Sequence, residues 1–221
     1  DDSLRVLKKL GWKDNCTTKR LARPINTLKF LPILKNLKLN FVNRTLRYFI
    51  KKKYSRNISI NPYKISDNFK IINDSLKLKK NSTNNGFASI IRDEKWLNWR
   101  LMECPYKKDI YFFEYKNNFA IVHIFYQYVK RLNILYTYST DKLQENELYV
   151  QIMNWAINND IDLVWAINRN TELKNIFPTI FDKPLKFAAW SLDEKILKIL
   201  QNGLLDLQGI DTDTDSCLYV D

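Results

Sequence analysis

Two runs of aromatic and β-branched residues flank the short polar stretch Lys116-Asn117-Asn118. Two such runs separated by turn residues predict a β-hairpin, here at residues 110–115 and 119–128. The periodicity of the following sequence predicts alternating strands and helices. The strands are expected at residues 132–139, 161–167 and 185–190, and the helices at 147–156, 171–177 and 192–200. This order predicts an α+β fold.

The segment before the hairpin, residues 86–111, reads GFASIIRDEKWLNWRLMECPYKKDIY. It places an Arg-Asp pair, two tryptophans and a second arginine just ahead of the first strand. In these residues and in its element order, the chain resembles the C-terminal domain of GNAT superfamily proteins. These are acyl-CoA N-acyltransferases, here of the type that accompanies bacterial polysaccharide and surface-sugar biosynthesis. The resemblance implies a mixed, mostly antiparallel twisted sheet flanked by helices over residues 86–221.

The N-terminal residues also resemble part of this family. A helix over residues 3–12, with Gly11 as its stop signal, precedes a strand at 17–25, which is similar to the close of a GNAT domain. We therefore expect residues 1–26 to be the end of an upstream GNAT-like domain. Residues 27–85 are then a basic helical linker, and 86–221 the C-terminal GNAT-like domain of a longer protein with tandem GNAT domains.

The resemblance implies a binding site for acetyl-CoA or another acyl-CoA. In a GNAT domain, backbone N–H groups at the start of a helix bind the pyrophosphate, and the matching loop here spans residues 140–147. The residues expected to contact the cofactor are Tyr138, Ser139, Thr140, Asn146 and Asn170. The loop has no glycine and carries three acidic residues against one lysine, a local charge that works against phosphate binding.

Two arginines are candidates for binding the second substrate. Arg92 and Arg100 could hold an anionic sugar or a carboxylate, because a guanidinium offers a rigid two-pronged set of donors. The alternative is an internal ion pair between an arginine and Asp93. Trp96 and Trp99 are interpreted either as core residues or as a platform on which a sugar ring stacks.

The sequence identifies no general acid or base. The position at which the family places a catalytic tyrosine falls on Ile176 or Phe177, which cannot donate a proton. Tyr136 and Tyr138 remain alternatives, although a tyrosine there also suits sheet packing. His123, the single histidine of the chain, lies in an apolar strand and is predicted to pack there.

The resemblance implies transfer of an acyl group, with acetyl expected, from acyl-CoA to an amine of a sugar or surface-glycan precursor. The amine would attack the thioester directly while strand backbone orients the carbonyl. The alternative is a degenerate, non-catalytic GNAT module that binds the acceptor or supports a catalytic upstream GNAT domain of the same parent chain.

Positive charge is concentrated in one segment. The chain has a formal net charge of +12, and residues 15–66 contain thirteen lysines and arginines and no acidic residue. Within it, residues 28–56 show the three- and four-residue spacing of amphipathic helices. We interpret them as a surface for an anionic membrane or as a docked linker helix, and do not expect nucleic acid as a partner.

Three widely spaced cysteines suit a reduced, cytoplasmic protein, and no apolar stretch approaches the roughly 20 residues that cross a bilayer. The inner face of the membrane is then the expected location of the basic segment. The acidic residues near the C-terminus do not match a complete calcium loop, so no metal site is predicted.

Overall fold

A computed structural model describes twelve stretches of the chain: residues 2–26, 40–54, 60–65, 88–89, 93–105, 107–126, 129–139, 141–168, 176–177, 185–189, 192–201 and 205–206. The predicted site residues Arg92, Thr140 and Asn170 lie outside these stretches, as do the acidic tail and most of the predicted helix at 171–177.

The described residues form five α-helices, a π-helix (Asn98–Met102), a 3-10 helix (Lys107–Asp109) and nine strands. The α-helices are α1 (Asp2–Lys9), α2 (Asn40–Tyr54), α3 (Glu94–Leu97), α4 (Lys142–Asn158) and α5 (Glu194–Gln201). The strands are β1 (Lys13–Pro24), β2 (Tyr63–Lys64), β3 (Ala88–Ser89), β4 (Ile110–Tyr115), β5 (Asn118–Tyr126), β6 (Lys130–Tyr138), β7 (Leu163–Asn168), β8 (Leu185–Ala189) and β9 (Leu205–Asp206). The predicted α+β class is confirmed.

Seven strands form one sheet in the order β2-β4-β5-β6-β7-β1-β8. Every neighbouring pair is antiparallel except β6 and β7, which are parallel and are connected through α4. A parallel pair needs such a crossover, because a short turn can join only antiparallel strands. β3 and β9 form a separate, two-stranded parallel sheet.

The N-terminal strand lies inside this sheet. β1 pairs with β7 through Lys19 to Pro24 and with β8 through Lys13 to Thr18. The predicted boundaries at residues 26 and 85 therefore do not divide the sheet, since β1 and β2 both pair with strands of the C-terminal segment. The origin of residues 1–26 as the end of an upstream domain stays a prediction.

Two hydrophobic clusters cover the two faces of the sheet. α4 packs on one face, where Leu148, Ile152 and Met153 contact apolar side chains of β4 to β7 and β1. On the opposite face, Leu97 and Leu101 pack against Ile110, Phe112 and other residues of β4, β5 and the end of β6. Because successive side chains of a strand point to opposite faces of the sheet, one strand contributes residues to both clusters.

Candidate functional site

The strands β6 and β7 separate at their C-terminal ends. Their pairing runs from Arg131 opposite Leu163 to Ile134 opposite Ala166 and ends there, although β6 continues to Tyr138 and β7 to Asn168. The β7-facing backbone groups of β6 after Ile134 thus lie outside this ladder. Open α/β sheets bind ligands at the carboxyl ends of parallel strands, so this opening is the candidate site.

A β-bulge marks the point of separation. The register between β5 and β6 shifts so that Ile121 faces Tyr136 while Val122 faces Ile134, which leaves Leu135 as the extra residue. A bulge bends its strand and sharpens the local twist, and bulges recur beside functional sites. Here the bend directly follows the last residue of β6 that pairs with β7.

The N-terminus of α4 lies directly after β6. Asp141 is its N-cap, and the Asp141 side chain accepts a hydrogen bond of 2.9 Å from the backbone N–H of Gln144. The predicted loop at 140–147 is therefore wrong from Lys142 onward, because those residues are helical. Aspartate is a strong N-cap, and the lysine, leucine, glutamine and glutamate that follow favour a helix.

A buried amide network holds this junction. Asn118, fully buried at the start of β5, donates 2.7 Å to Gln144 Oε1 and 3.1 Å to the Tyr115 carbonyl. Ser139 Oγ lies 2.9 Å from Asn118 Oδ1 and 2.6 Å from the Asp141 carbonyl. The junction between β6 and α4 is therefore fastened to the β4–β5 turn.

The acidic charge at the helix start is partly neutralised. Lys116 Nζ lies 3.1 Å from Glu147 Oε2, and this hydrogen bond raises the pKa of Lys116. The Asp141 carboxylate caps the helix. Asp141 and Glu147 thus have defined partners, but the capping carboxylate of Asp141 still lies where an anion would bind.

Three predicted cofactor residues fall within the described stretches. Tyr138 and Ser139 are half-buried on the open part of β6 and just after it, and Asn146 is half-buried on the second turn of α4. The Tyr138 ring lies 5.3 Å from that of Phe119. The structure therefore brings these three to the junction of β6 and α4.

The predicted substrate arginine lies on the other face of the sheet. The helix begins at α3 with Asp93 as N-cap, which accepts 2.8 Å from the Trp96 N–H, and continues as a π-helix from Asn98 to Met102. Arg100 lies in this π-helical segment and is buried. Asp93 thus serves as a cap, and π-helical turns are frequent at functional sites.

The two tryptophans of this helix differ in exposure. Trp96 is half-buried and packs on the cluster that includes Tyr136 and Tyr138 of β6. Trp99 is 57% exposed, and its ring lies 6.4 Å from that of Trp96 in a T-shaped pair. The core interpretation therefore holds in part for Trp96 and is wrong for Trp99, which is available as a stacking surface.

His123 packs in the sheet. It is 1% exposed, its ring lies 3.8 Å from that of Phe125, and burial together with the charges of Arg131 and Arg100 lowers its pKa to about 3. The imidazole is therefore neutral across the physiological pH range. This agrees with the prediction of a packed histidine.

The helix α2 presents an aromatic and basic surface. Arg47 binds the Ile157 carbonyl and the Asp160 carboxylate, Ile50 packs on the core, and Tyr54 is buried. The opposite side exposes Phe41, Tyr48 and Phe49 by 60% to 79%, next to exposed lysines at 51–53. In the described part of the predicted membrane segment, one side of α2 therefore packs on the protein and the other side is exposed to solvent.

A separate polar recess of about 290 Å³ lies along the C-terminal half of α4 and is lined by neutral side chains, including Gln151, Asn154 and Trp155. It offers no charge for a phosphate-rich cofactor. Among the described residues, no group of three or more His, Cys, Asp or Glu side chains could hold a metal ion.

None of the described helices combines the length and apolar character needed to cross a bilayer. Neither a protein-family model nor a curated protein sequence matches the chain.

Proposed function

We propose that the chain acts as an acyl-CoA-dependent N-acyltransferase module that transfers an acyl group, with acetyl expected, to an amine of a sugar or surface-glycan precursor. The observation that supports this most directly is the opening of the parallel β6–β7 pair after a bulge, beside the N-terminus of the crossover helix. Strand ends and a helix start together offer hydrogen-bond donors to a phosphorylated cofactor.

In the proposed reaction, the thioester carbonyl binds the backbone of β6 beyond Ile134. The acceptor amine attacks the carbonyl carbon, the C–S bond breaks, and the thiolate takes a proton as it leaves. We assign that proton to Tyr138, which lies on the open part of β6. The resulting tyrosinate takes up the proton that the acceptor nitrogen releases as the amide forms. Trp99 and Arg100, on the helix that packs beside this part of β6, are the proposed contacts of the sugar acceptor.

Acetyl-CoA is expected to bind the purified chain saturably, and the binding should persist at about 0.15 M salt, where weak surface attraction is screened. Asn146→Glu adds negative charge at the second turn of α4 and should weaken binding about tenfold. Isothermal titration calorimetry measures both affinities, and desulfo-CoA tests whether the binding needs the acetylthio group.

The matched control is Asn158→Glu, the same substitution on an exposed residue at the far end of α4. It should leave the affinity unchanged. Equal weakening by both variants would indicate nonspecific attraction to a basic protein and would contradict a cofactor site at the helix start.

One observation favours the second candidate, a non-catalytic module that binds the acceptor or supports an upstream GNAT domain. The Asp141 carboxylate caps α4 at the anion position. If the wild type fails to bind acetyl-CoA while Asp141→Ser, which keeps a capping oxygen and removes the charge, also fails, this second function is the better description.

We further propose that α2 contacts an anionic membrane surface. Its exposed aromatic side chains lie beside lysines, and this combination suits the interface between lipid headgroups and acyl chains. Since a lysine near an anionic bilayer contributes about 1 kcal/mol, Lys52→Gln should weaken binding to phosphatidylserine-containing vesicles about fivefold. Co-sedimentation measures the affinity.

Lys108→Gln removes the same charge from another exposed position, outside α2, and should have no effect. Vesicle binding that resists salt, or that Lys52→Gln leaves unchanged, would exclude an electrostatic anchor on α2.

A further inference from the structure

Three polar side chains lie together on the face of the sheet opposite α4. Leu132 and Ile134 of β6 belong to the cluster around α4, so the alternating residues Arg131 and Asn133 lie on the other face. Trp165 of β7 is the register partner of Asn133. The three residues are thus neighbours across two adjacent strands.

Their polar atoms are buried but not hydrogen-bonded. Arg131 Nε and Nη2, both amide atoms of Asn133, and Trp165 Nε1 have no hydrogen-bond partner in the described part of the chain. Asn133 is only 2% exposed. Leaving a buried polar group without a hydrogen-bond partner destabilises a protein, so five such atoms at adjacent positions require an explanation.

The guanidinium of Arg131 is enclosed by aromatic rings. Its central carbon lies 4.7 Å from the ring centroid of Phe125 and 5.2 Å from that of Trp165. Burial lowers the pKa of Arg131 to about 10, which still leaves it charged at neutral pH. Buried charges in proteins are normally paired, yet no described carboxylate binds the Nε–Nη2 edge.

The edge formed by Nε and Nη2 is the side-on fork that binds two oxygens of a carboxylate or phosphate. The Asn133 amide and the Trp165 indole add further N–H donors next to it. The Asn133 carbonyl oxygen, as an acceptor, can bind a hydroxyl or N–H group on the same ligand. These groups together are therefore complementary to a small oxyanion that carries a hydrogen-bond donor next to its charged group.

We infer that Arg131, Asn133 and Trp165 form a binding site for a carboxylate or phosphate group. This site differs from the opening after Ile134. Arg131 and Tyr138 are seven residues apart on one extended strand, or about 23 Å at the usual rise. The inference does not depend on the proposed acyl transfer, and either can fail alone.

The test is a titration of the intact chain with inorganic phosphate and with acetate, against chloride at equal ionic strength. Two-dimensional ¹⁵N NMR follows the Trp165 indole and Arg131 Nε signals, assigned with Trp165→Phe and Arg131→Met. Both signals are expected to shift saturably with at least one oxyanion, and the more effective of the two anions identifies the ligand class.

Arg131→Met should weaken this binding at least tenfold, as read from the Trp165 signal, whereas Lys95→Met at an exposed position should not. If Arg131→Met does not fold, Asn133→Leu keeps the arginine and should still weaken binding. Shifts that chloride reproduces, or that Arg131→Met leaves intact, would mean an adventitious ion only. If no anion shifts the two NMR signals, we would conclude that the buried polar atoms are hydrogen-bonded to water. Either result overturns the inference.

Discussion

Asp162→Asn is expected to lower the free energy of unfolding by about 3 kcal/mol, because this buried carboxylate joins three strand ends. Its two oxygens accept hydrogen bonds of 2.8 Å from the Lys130 N–H and 2.9 Å from the Asn26 amide. Its backbone N–H donates 2.7 Å to the Lys130 carbonyl, and its own carbonyl accepts from Ile25 and Asn26. Asparagine replaces one of these carboxylate oxygens with an NH₂ group, whose N–H would point toward a buried N–H donor.

The matched control is Asp160→Asn, two residues earlier. Asp160 has 78% of its side chain exposed and binds Arg47. An exposed ion pair contributes less than about 1 kcal/mol, and asparagine tolerates the positive φ of 57° at this position as well as aspartate does. Urea unfolding of both variants measures the difference. Similar losses at the two positions would show that Asp162 does not join the strands.

Acid is expected to destabilise the fold through His123. The folded pKa is about 3, far below the unfolded value near 6.5, so between these values only the unfolded state takes up the proton. Stability is complete above about pH 6.5 and declines as the pH falls. The slope approaches 1.4 kcal/mol per pH unit, and the loss between pH 6.5 and 4.5 is about 2 kcal/mol.

Chemical denaturation at a series of pH values gives this slope, and His123→Leu should flatten it, since the chain has a single histidine. An independent measurement needs no variant. The Cε1 proton of His123 should keep a constant NMR chemical shift down to pH 4.5 in the folded protein. A histidine that titrates near pH 6 would contradict the predicted slope.

The local sequence pattern was sufficient for most strands and for the hairpin. The alternation and the turn residues at 116–118 predicted β4, β5 and β6 within a few residues of their bounds. The pattern fails at the start of α4, because the strong cap at Asp141 lies within the segment that the sequence predicts as a loop. The start of this helix is set by a four-residue capping pattern, which hydrophobic periodicity does not detect.

The sequence could not predict features that depend on distant pairing. The place of β1 between β7 and β8 and the bulge at Leu135 arise from the register of strands that are far apart in the chain. The cluster around Arg131 was also missed. One signal was present, since Asn133 interrupts the run of apolar residues from Leu132 to Tyr136, and a buried polar side chain needs a hydrogen-bond partner.

The position of β1 between β7 and β8 has a consequence for synthesis on the ribosome. β1 is synthesised before its partners β7 and β8, which follow roughly 150 residues later, or about ten to thirty seconds at ordinary translation rates. During that interval both edges of the strand are open to pairing with other chains. Its own sequence contains Lys13, Lys19, Arg20 and Arg23, and charged residues of this kind discourage such pairing. The nascent chain therefore protects β1 by charge until β7 and β8 pair with it.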